Sequence, residues 1–304
     1  ADPRVRLGPS FSAYVKIAEG CDPRCSFCAI PTFRGRQRSR PIDDIALELA
    51  RLAAEGVVEA NLVAQDSTGY GRDLGLADGL AALVRAIDGL AEAPPWIRVH
   101  YLYPGRISRA LVDALATARR FVEYIDLPLQ HADPTVLRRM GRPGNPDLYL
   151  RQLRELRAAL PGAGVRSSFI VGFPGETDAQ FETLCRFVEG AGLDSVGIFT
   201  YSHEDDTAAQ RYDDDVPAGL KADRRAALEE IALSAAHERN VARIGHELEV
   251  LVEGPAEDRP DLLEARWRGQ APEVDGRVLV EGVTNAAPGS ILRVTVIGAA
   301  PTEL

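Results

Sequence analysis

Up to about residue 245 the chain switches back and forth between two hydrophobic periods. Residues 12–19, 57–64, 96–103, 121–129, 165–171 and 195–201 carry the short, β-branched and aromatic runs of strands. Residues 42–55, 80–90, 108–120, 148–160 and 179–191 place apolar side chains every three or four positions, as helices do. In the first helix Ile45, Leu49 and Leu52 make the apolar stripe, and Asp43 and Asp44 suit its N-terminal dipole. Strand and helix alternating six times predict a parallel sheet with helical crossovers. Six units are too few for a closed eight-stranded barrel, so the expectation is α/β, an open partial (β/α)6 barrel.

Residues 221–244 predict one long amphipathic helix with Leu228, Ile231, Leu233 and Val241 on its apolar side. Beyond it come short strand-like runs at 247–252, 263–267, 277–280 and 291–297, separated by Gly, Pro and Asn. That pattern predicts a small antiparallel, OB-like β-barrel of about 60 residues. The expected domains are therefore 1–241 and 242–304.

Polar and glycine-rich residues gather just after the predicted strands: Gln65-Asp66-Ser67, Gln130-His131, Gly172-Phe173-Pro174-Gly175-Glu176 and Ser202-His203. Parallel α/β folds bind ligands at the carboxyl ends of their strands, so these groups are expected to share one cavity. Any single member also reads as a turn or helix-cap residue.

The same end of the first strand carries Cys21, Cys25 and Cys28, spaced Cys-x3-Cys-x2-Cys with Phe27 before the last. Three thiolates on one short loop can hold three irons of a four-iron cluster and leave the fourth open to a small molecule. A closed structural zinc site would need a fourth ligand from a remote His131, His203 or Cys185. A disulfide framework wants a small secreted chain dense in cysteine, whereas this one has four cysteines in 304 residues. Cys185, alone in a helical stretch, reads as a small buried hydrophobe.

Composition changes this picture little. With 45% hydrophobic and 26% charged residues the chain is ordinary for a globular protein. No apolar run reaches the ~20 residues of a membrane helix, and an exposed iron–sulfur cluster wants a reducing compartment, so a cytoplasmic location is expected. The only methionine is Met140, which suggests an upstream portion absent from this sequence. Only Lys16 and Lys221 are lysines, an arginine bias from which no function follows.

The cysteine motif and the βα rhythm resemble the radical S-adenosylmethionine enzymes. Residues 14–19, 21–41, 100–104, 126–131, 169–176 and 201–202 resemble, more narrowly, the methylthiotransferases, and the terminal barrel resembles the TRAM domain of that family. One branch of the family modifies an aspartate of ribosomal protein S-twelve, the other an isopentenyl-adenosine of transfer RNA. The segments His100-Tyr101-Leu102-Tyr103-Pro104, Asp126–His131 and residues 271–276 favour the ribosomal-protein branch.

The resemblance implies a [4Fe-4S] cluster on Cys21, Cys25 and Cys28, and S-adenosylmethionine as cofactor. It implies a 5′-deoxyadenosyl radical that takes hydrogen from the aspartate β-carbon, and an electron-donor protein. Phe27, Gln65, Gln130, Gly172, Phe173 and Glu176 are the expected cofactor contacts. Arg34 and Arg36, from the run Arg34, Arg36, Arg38, Arg40, are candidates to meet the target carboxylate, with His131; helix-entry or surface ion-pair roles are the alternative for the arginines. Family members also carry a second cluster on three upstream cysteines, which this sequence lacks.

Residues 240–304 hold eleven acidic side chains against six arginines. A module gripping RNA phosphates should be basic; an acidic one suits a basic ribosomal protein, or simply stays soluble. Transfer-RNA methylthiolation by the same chemistry, and a non-catalytic scaffold with a metal-stapled loop, remain the rival readings.

Overall fold

The computed structural model describes residues 8–283 and 285–304; residues 1–7 of the expected first domain lie outside the described residues. In chain order, β1 (Ser12–Lys16) leads to the short pair β2 (Ala18–Glu19) and β3 (Arg38–Ser39), with α1 (Ile30–Arg34) between them. There follow α2 (Ile42–Ala54), β4 (Glu59–Val63), α3 (Gly79–Asp88), β5 (Trp96–Val99), α4 (Arg109–Thr117) and β6 (Tyr124–Asp126). Next come α5 (Pro134–Arg139), α6 (Pro146–Ala159), β7 (Gly164–Val171), α7 (Asp178–Gly190), β8 (Ser195–Thr200) and α8 (Ala218–Val241).

β1, β4 and β5 pair in parallel in that order, and so do β6, β7 and β8. The two sheets join where Ile97 bridges Phe121 and where the Leu102 N–H donates to the Asp126 carbonyl at 2.8 Å. Among the described residues this makes six parallel strands in sequential order, with a helix after each: the expected open (β/α)6 barrel.

Strand alternation decides what lies on either side. Ala13, Val15, Ala60, Leu62, Ile97 and Val99 belong to the main apolar core with α2 and α3. The intervening residues meet one another instead. Ser12 Oγ donates to Glu59 at 2.9 Å, Asn61 Nδ2 to Ser12 Oγ at 3.3 Å, and His100 Nε2 lies 3.1 Å from Asn61 Oδ1. The barrel is thus lined by hydrogen-bonded polar side chains.

The helices stop and start where local chemistry says. Thr177 and Gln180 form a capping box on α7. Asn145 caps α6 ahead of Pro146 at its first position. Asp133 caps α5, a helix with too few turns to show a period in the sequence. The strand expected over 121–129 shrinks to Tyr124–Asp126, because Pro128 brings no N–H and Gln130 turns left-handed at φ 73°.

The C-terminal module is a curled four-stranded antiparallel sheet: β9 (Glu247–Pro255), β10 (Leu263–Trp267), β11 (Val278–Val280) and β12 (Ile291–Thr295), ordered β11-β10-β9-β12. It packs on the amino ends of the barrel strands. Phe11, Trp96, Val122 and Tyr124 form one apolar cluster with Leu251 and Ala271. Gly164, opening β7, lies so close that an added Cβ would meet the Gly269 carbonyl oxygen at 2.1 Å.

At the centre of this junction Arg266 Nη2 donates to Glu59 Oε2 at 2.8 Å, and Arg98 Nη2 to Glu59 Oε1 at 3.2 Å, all three side chains being buried. Arg166 pairs with Asp275 at 2.9 Å and Arg268 with Glu123 at 2.7 Å around it. Burial alone would raise the Glu59 carboxyl, but Arg266 and Arg98, with the Ser12 hydroxyl, hold it down to about 2.

A carboxyl depressed in the folded state contributes stability above the unfolded glutamate pKa of ~4.3, and loses it as pH falls toward the folded value. The urea midpoint should therefore decline from pH 4.5 downward, and Glu59→Gln should flatten that decline. Removing the carboxylate leaves the buried Arg98 without an acidic partner and Arg266 with Glu253 alone, so Glu59→Ala should destabilise the chain by ~3–5 kcal/mol.

Candidate radical centre

The three cysteines sit on the loop that leaves β1 at its carboxyl end, opposite the C-terminal sheet. The loop is closed at its root. Cys21 N–H donates to the Gly35 carbonyl at 3.1 Å, and Gly20 N–H to Gln65 Oε1 at 2.8 Å. Gly20 has φ 83°, and a Cβ there would fall 2.3 Å from the Arg36 carbonyl oxygen. Glycine is required at that position both for its backbone angle and for the space.

The far side of the loop is stitched to the C-terminal end of α5. Ser26 N–H reaches the Met140 carbonyl at 2.8 Å and Ser26 Oγ the Arg139 carbonyl at 2.8 Å. All three thiols are free and half-buried.

Cys21, Cys25 and Cys28 line one cavity of about 450 Å³, within the range of small-molecule sites. Its other walls come from strand ends, as the sequence led one to expect: Gln65 after β4, Tyr101 and Tyr103 after β5, Gln130 after β6, Ser168 and Ile170 near the end of β7, and Tyr201 and Ser202 after β8. Phe27 lines it too and packs against the cluster of Val136, Met140, Phe173, Tyr201 and Ala209.

Of the expected cofactor contacts, Phe27, Gln65 and Gln130 reach the cavity, whereas Gly172, Phe173 and Glu176 do not line it. Phe173 is fully buried and meets the Tyr201 and Tyr212 rings edge-on, so it backs Phe27. Glu176 accepts from the Gly172 N–H at 3.0 Å and from Arg224 at 2.8 Å, tying the loop after β7 to α8.

His131 does not line the cavity either. It is fully buried, its Nδ1 accepts from the Asp133 N–H at 2.9 Å, and its Nε2 lies 3.3 Å from Glu176. Arg34 and Arg36 stand outside the cavity wall, in ion pairs with Glu19 at 3.3 Å and Asp22 at 3.7 Å.

The residues that strand-end reasoning passed over are Tyr101, Tyr103, Arg142 and Tyr201. The tyrosines follow the strands, but their aromatic character reads as core. Arg142, just past the short α5, has no sequence signal at all. Tyr101 holds φ 59°, fixed by its N–H to Asp126 Oδ2 at 3.0 Å and by the Ser67 N–H to its carbonyl at 3.1 Å. Arg142 is buried, stacks on the Tyr103 ring at 4.1 Å and reaches Cys25 Sγ at 3.7 Å.

The donor set suits a multi-iron cluster. Burial pushes the Cys21 thiol up to about 12, with Asp66, Cys25, Cys28 and Asp22 adding to it. Burial also raises Cys28, against the Ile30 N–H that hydrogen-bonds it. Three clustered thiols of this kind ionise when a strong cationic centre binds them. Among the described residues no three His, Cys, Asp or Glu side chains converge on one single-ion site; a cluster instead takes each thiolate on a separate iron. Behind the cavity wall the buried Tyr201 hydroxyl finds no hydrogen-bond partner among the described residues.

An open six-stranded parallel barrel with three cysteines on the loop after its first strand is the build of a radical S-adenosylmethionine enzyme. The model of the radical SAM superfamily matches residues 15–188, and that of the TRAM domain residues 244–304. A ribosomal protein uS12 methylthiotransferase RimO of Anaeromyxobacter sp. (strain K) is 47% identical over all of this chain and 64% of its own length. The RimO of Solibacter usitatus is 44% identical over 99% of this chain and 68% of its own length.

Among solved structures, the radical SAM enzyme coproporphyrinogen III oxidase (HemN) of Escherichia coli shares the fold at a TM-score of 0.53 and 19% identity, covering 75% of this chain and 52% of that one. The methyltransferase TsrM of Kitasatospora setae, bound to tryptophan and a cofactor analogue, does so at 0.52 and 19%, covering 62% and 36%. The chain belongs to the radical SAM superfamily and, within it, to the family of ribosomal protein uS12 methylthiotransferases. It spans 64% and 63% of the length of the first two curated relatives.

Gly20→Ala should strain the root of the cysteine loop by ~1–3 kcal/mol. Anaerobic reconstitution should then yield clearly less bound iron per chain than wild type, while the far-ultraviolet circular dichroism of the barrel stays unchanged.

Proposed function

We propose that this chain carries the radical-generating part of a methylthiotransferase that acts on the β-carbon of an aspartate in ribosomal protein uS12. The observation that carries the reading is the cysteine triplet, opening on a cavity of cofactor size, in a chain 44–47% identical from end to end to proteins of that name. Cys21, Cys25 and Cys28 would hold a [4Fe-4S] cluster, and S-adenosylmethionine would share the cavity; together they supply one electron and a carbon radical able to take hydrogen from an unactivated carbon.

The protein's own part is positioning. Gln65 pins the loop through Gly20, so Cys21 is held from the strand that follows. Phe27, backed by Phe173, keeps water off one side of the cavity. Gln130 offers a polar contact to the cofactor's ribose, carboxylate or adenine. Arg34 and Arg36, exposed and loosely paired, receive the acidic target or its neighbours at the approach to the cavity rather than at the reacting carbon.

The C-terminal sheet lies at the other end of the strands. Glu249, Glu253, Asp258, Glu264, Asp275 and Glu303 each pair with an arginine. Exposed Glu247, Glu257, Asp261, Glu273 and Glu281 remain to attract a basic substrate at long range. This reading places the sulfur source outside the present residues, because the fourth cysteine, Cys185, packs against the apolar core. It also calls for an external one-electron donor.

The test is anaerobic reconstitution followed by addition of dithionite and S-adenosylmethionine. The expected result is about four irons per chain and release of 5′-deoxyadenosine, abolished by Cys25→Ala and raised by a uS12 peptide bearing the target aspartate. Stimulation by transfer RNA and not by the peptide would move the substrate to the RNA branch. Zinc, or iron without cofactor cleavage, would overturn the enzymatic reading of this chain.

A further inference from the structure

Arg142 stands out among the buried groups of the site because its surroundings fix it on a ligating thiol. We propose that Arg142 is a positioning residue that raises the reduction potential of the cluster through its contact with Cys25. The inference rests on the cluster reading above and deepens it.

The geometry is built from several sides. Gly141 sits at φ 68°, where a Cβ would meet the Arg24 carbonyl oxygen at 2.8 Å, so the backbone beside Arg142 runs directly against the cysteine loop. The Arg142 N–H is anchored to the Leu137 carbonyl at 2.8 Å. Its guanidinium lies over the Tyr103 ring, Nη2 donates to the Pro128 carbonyl, and Nη1 points at Cys25 Sγ at 3.7 Å. Arg106 flanks Tyr103 as well, at 4.7 Å, but its charge is engaged by Asp66 at 3.1 Å. The Arg142 contacts with the cavity wall are a carbonyl, a ring and a thiol; no ion pair with a carboxylate is recorded for it among the described residues.

A cationic donor held this way acts on the electron that enters. Reduction adds one negative charge to the cluster and its thiolates. A desolvated guanidinium hydrogen-bonded to one of them stabilises the reduced form more than the oxidised form, because little water screens it. Hydrogen bonds to the sulfurs are among the levers that set such potentials. Cys21 has the opposite environment, with Asp66 and Asp22 nearby. The site is therefore electrostatically unequal: the Arg142 charge bears on Cys25 and Cys28, and the carboxylates bear on Cys21.

The experiment is a potentiometric titration of the reconstituted full chain, read by electron paramagnetic resonance of the reduced cluster, for wild type, Arg142→Gln and Arg142→Lys. At a fixed solution potential near the wild-type midpoint, Arg142→Gln should lower the ratio of reduced to oxidised cluster about tenfold, which is 59 mV for one electron. Arg142→Lys, keeping a charge but not the fork, should recover most of that ratio. Equal midpoints for wild type and Arg142→Gln at equal iron content would overturn the proposal. If Arg142→Gln fails to hold iron, Tyr103→Leu, which removes the stack but leaves the charge, is compared with Tyr103→Phe, because the Tyr103 phenol itself hydrogen-bonds Cys25: equal midpoints in these two variants overturn it. A wild-type chain that yields no cluster signal at all would instead sink the cluster reading.

Discussion

The carboxylate of Glu59 is the point from which the two parts of this molecule are organised. It opens β4, accepts a hydrogen bond from β1 through Ser12, meets Arg98 on β5, and receives Arg266 from the C-terminal sheet. Each partner alone would be a costly buried charge. Together they make a closed network in which three neighbouring strands and a second domain share one anion. The strand ends that carry the cysteine loop, Gln65 and Tyr101 are the far ends of these same strands, so the registry fixed at Glu59 is transmitted to the cavity by the strands themselves.

Much of this architecture was legible in the chain. The alternation of periods 2 and 3.6 located the six βα units, because each strand has a helix-covered apolar face and each helix a continuous stripe. What the pattern could not show is where the other strand face points. Glu59, Asn61 and Arg98 look like solvent-facing positions in a linear reading, and curling the sheet turns them toward one another. Short elements also escaped. α5 is only a turn and a half, and residues 127–130 leave β6 through Pro128 and a left-handed Gln130 rather than continuing it.

The site divides along the same line. The cysteine spacing is chemical information written locally, and Gln65, Gln130 and Phe27 follow from strand-end position. Gly172, Phe173 and Glu176 share that position, yet they turn inward to α8 and to the aromatic cluster behind the cavity. His131 is buried beside Glu176, since a residue next to a cavity-lining one in sequence can face the opposite way. Arg142 lay beyond any pattern: its importance arises from a through-space approach to a loop more than a hundred residues earlier.

The left-handed backbone at Tyr101 and Gln130 has an evolutionary reading. Glycine at either position would remove a penalty of about 1 kcal/mol or more, and a single substitution toward glycine is a gain in backbone comfort always within reach. A chain that keeps a phenol and a carboxamide there, both facing the cavity, is retaining the side chains against that gradient. Drift at these two positions should therefore follow the chemistry of whatever fills the cavity, while the scaffold around them is free to wander with its packing.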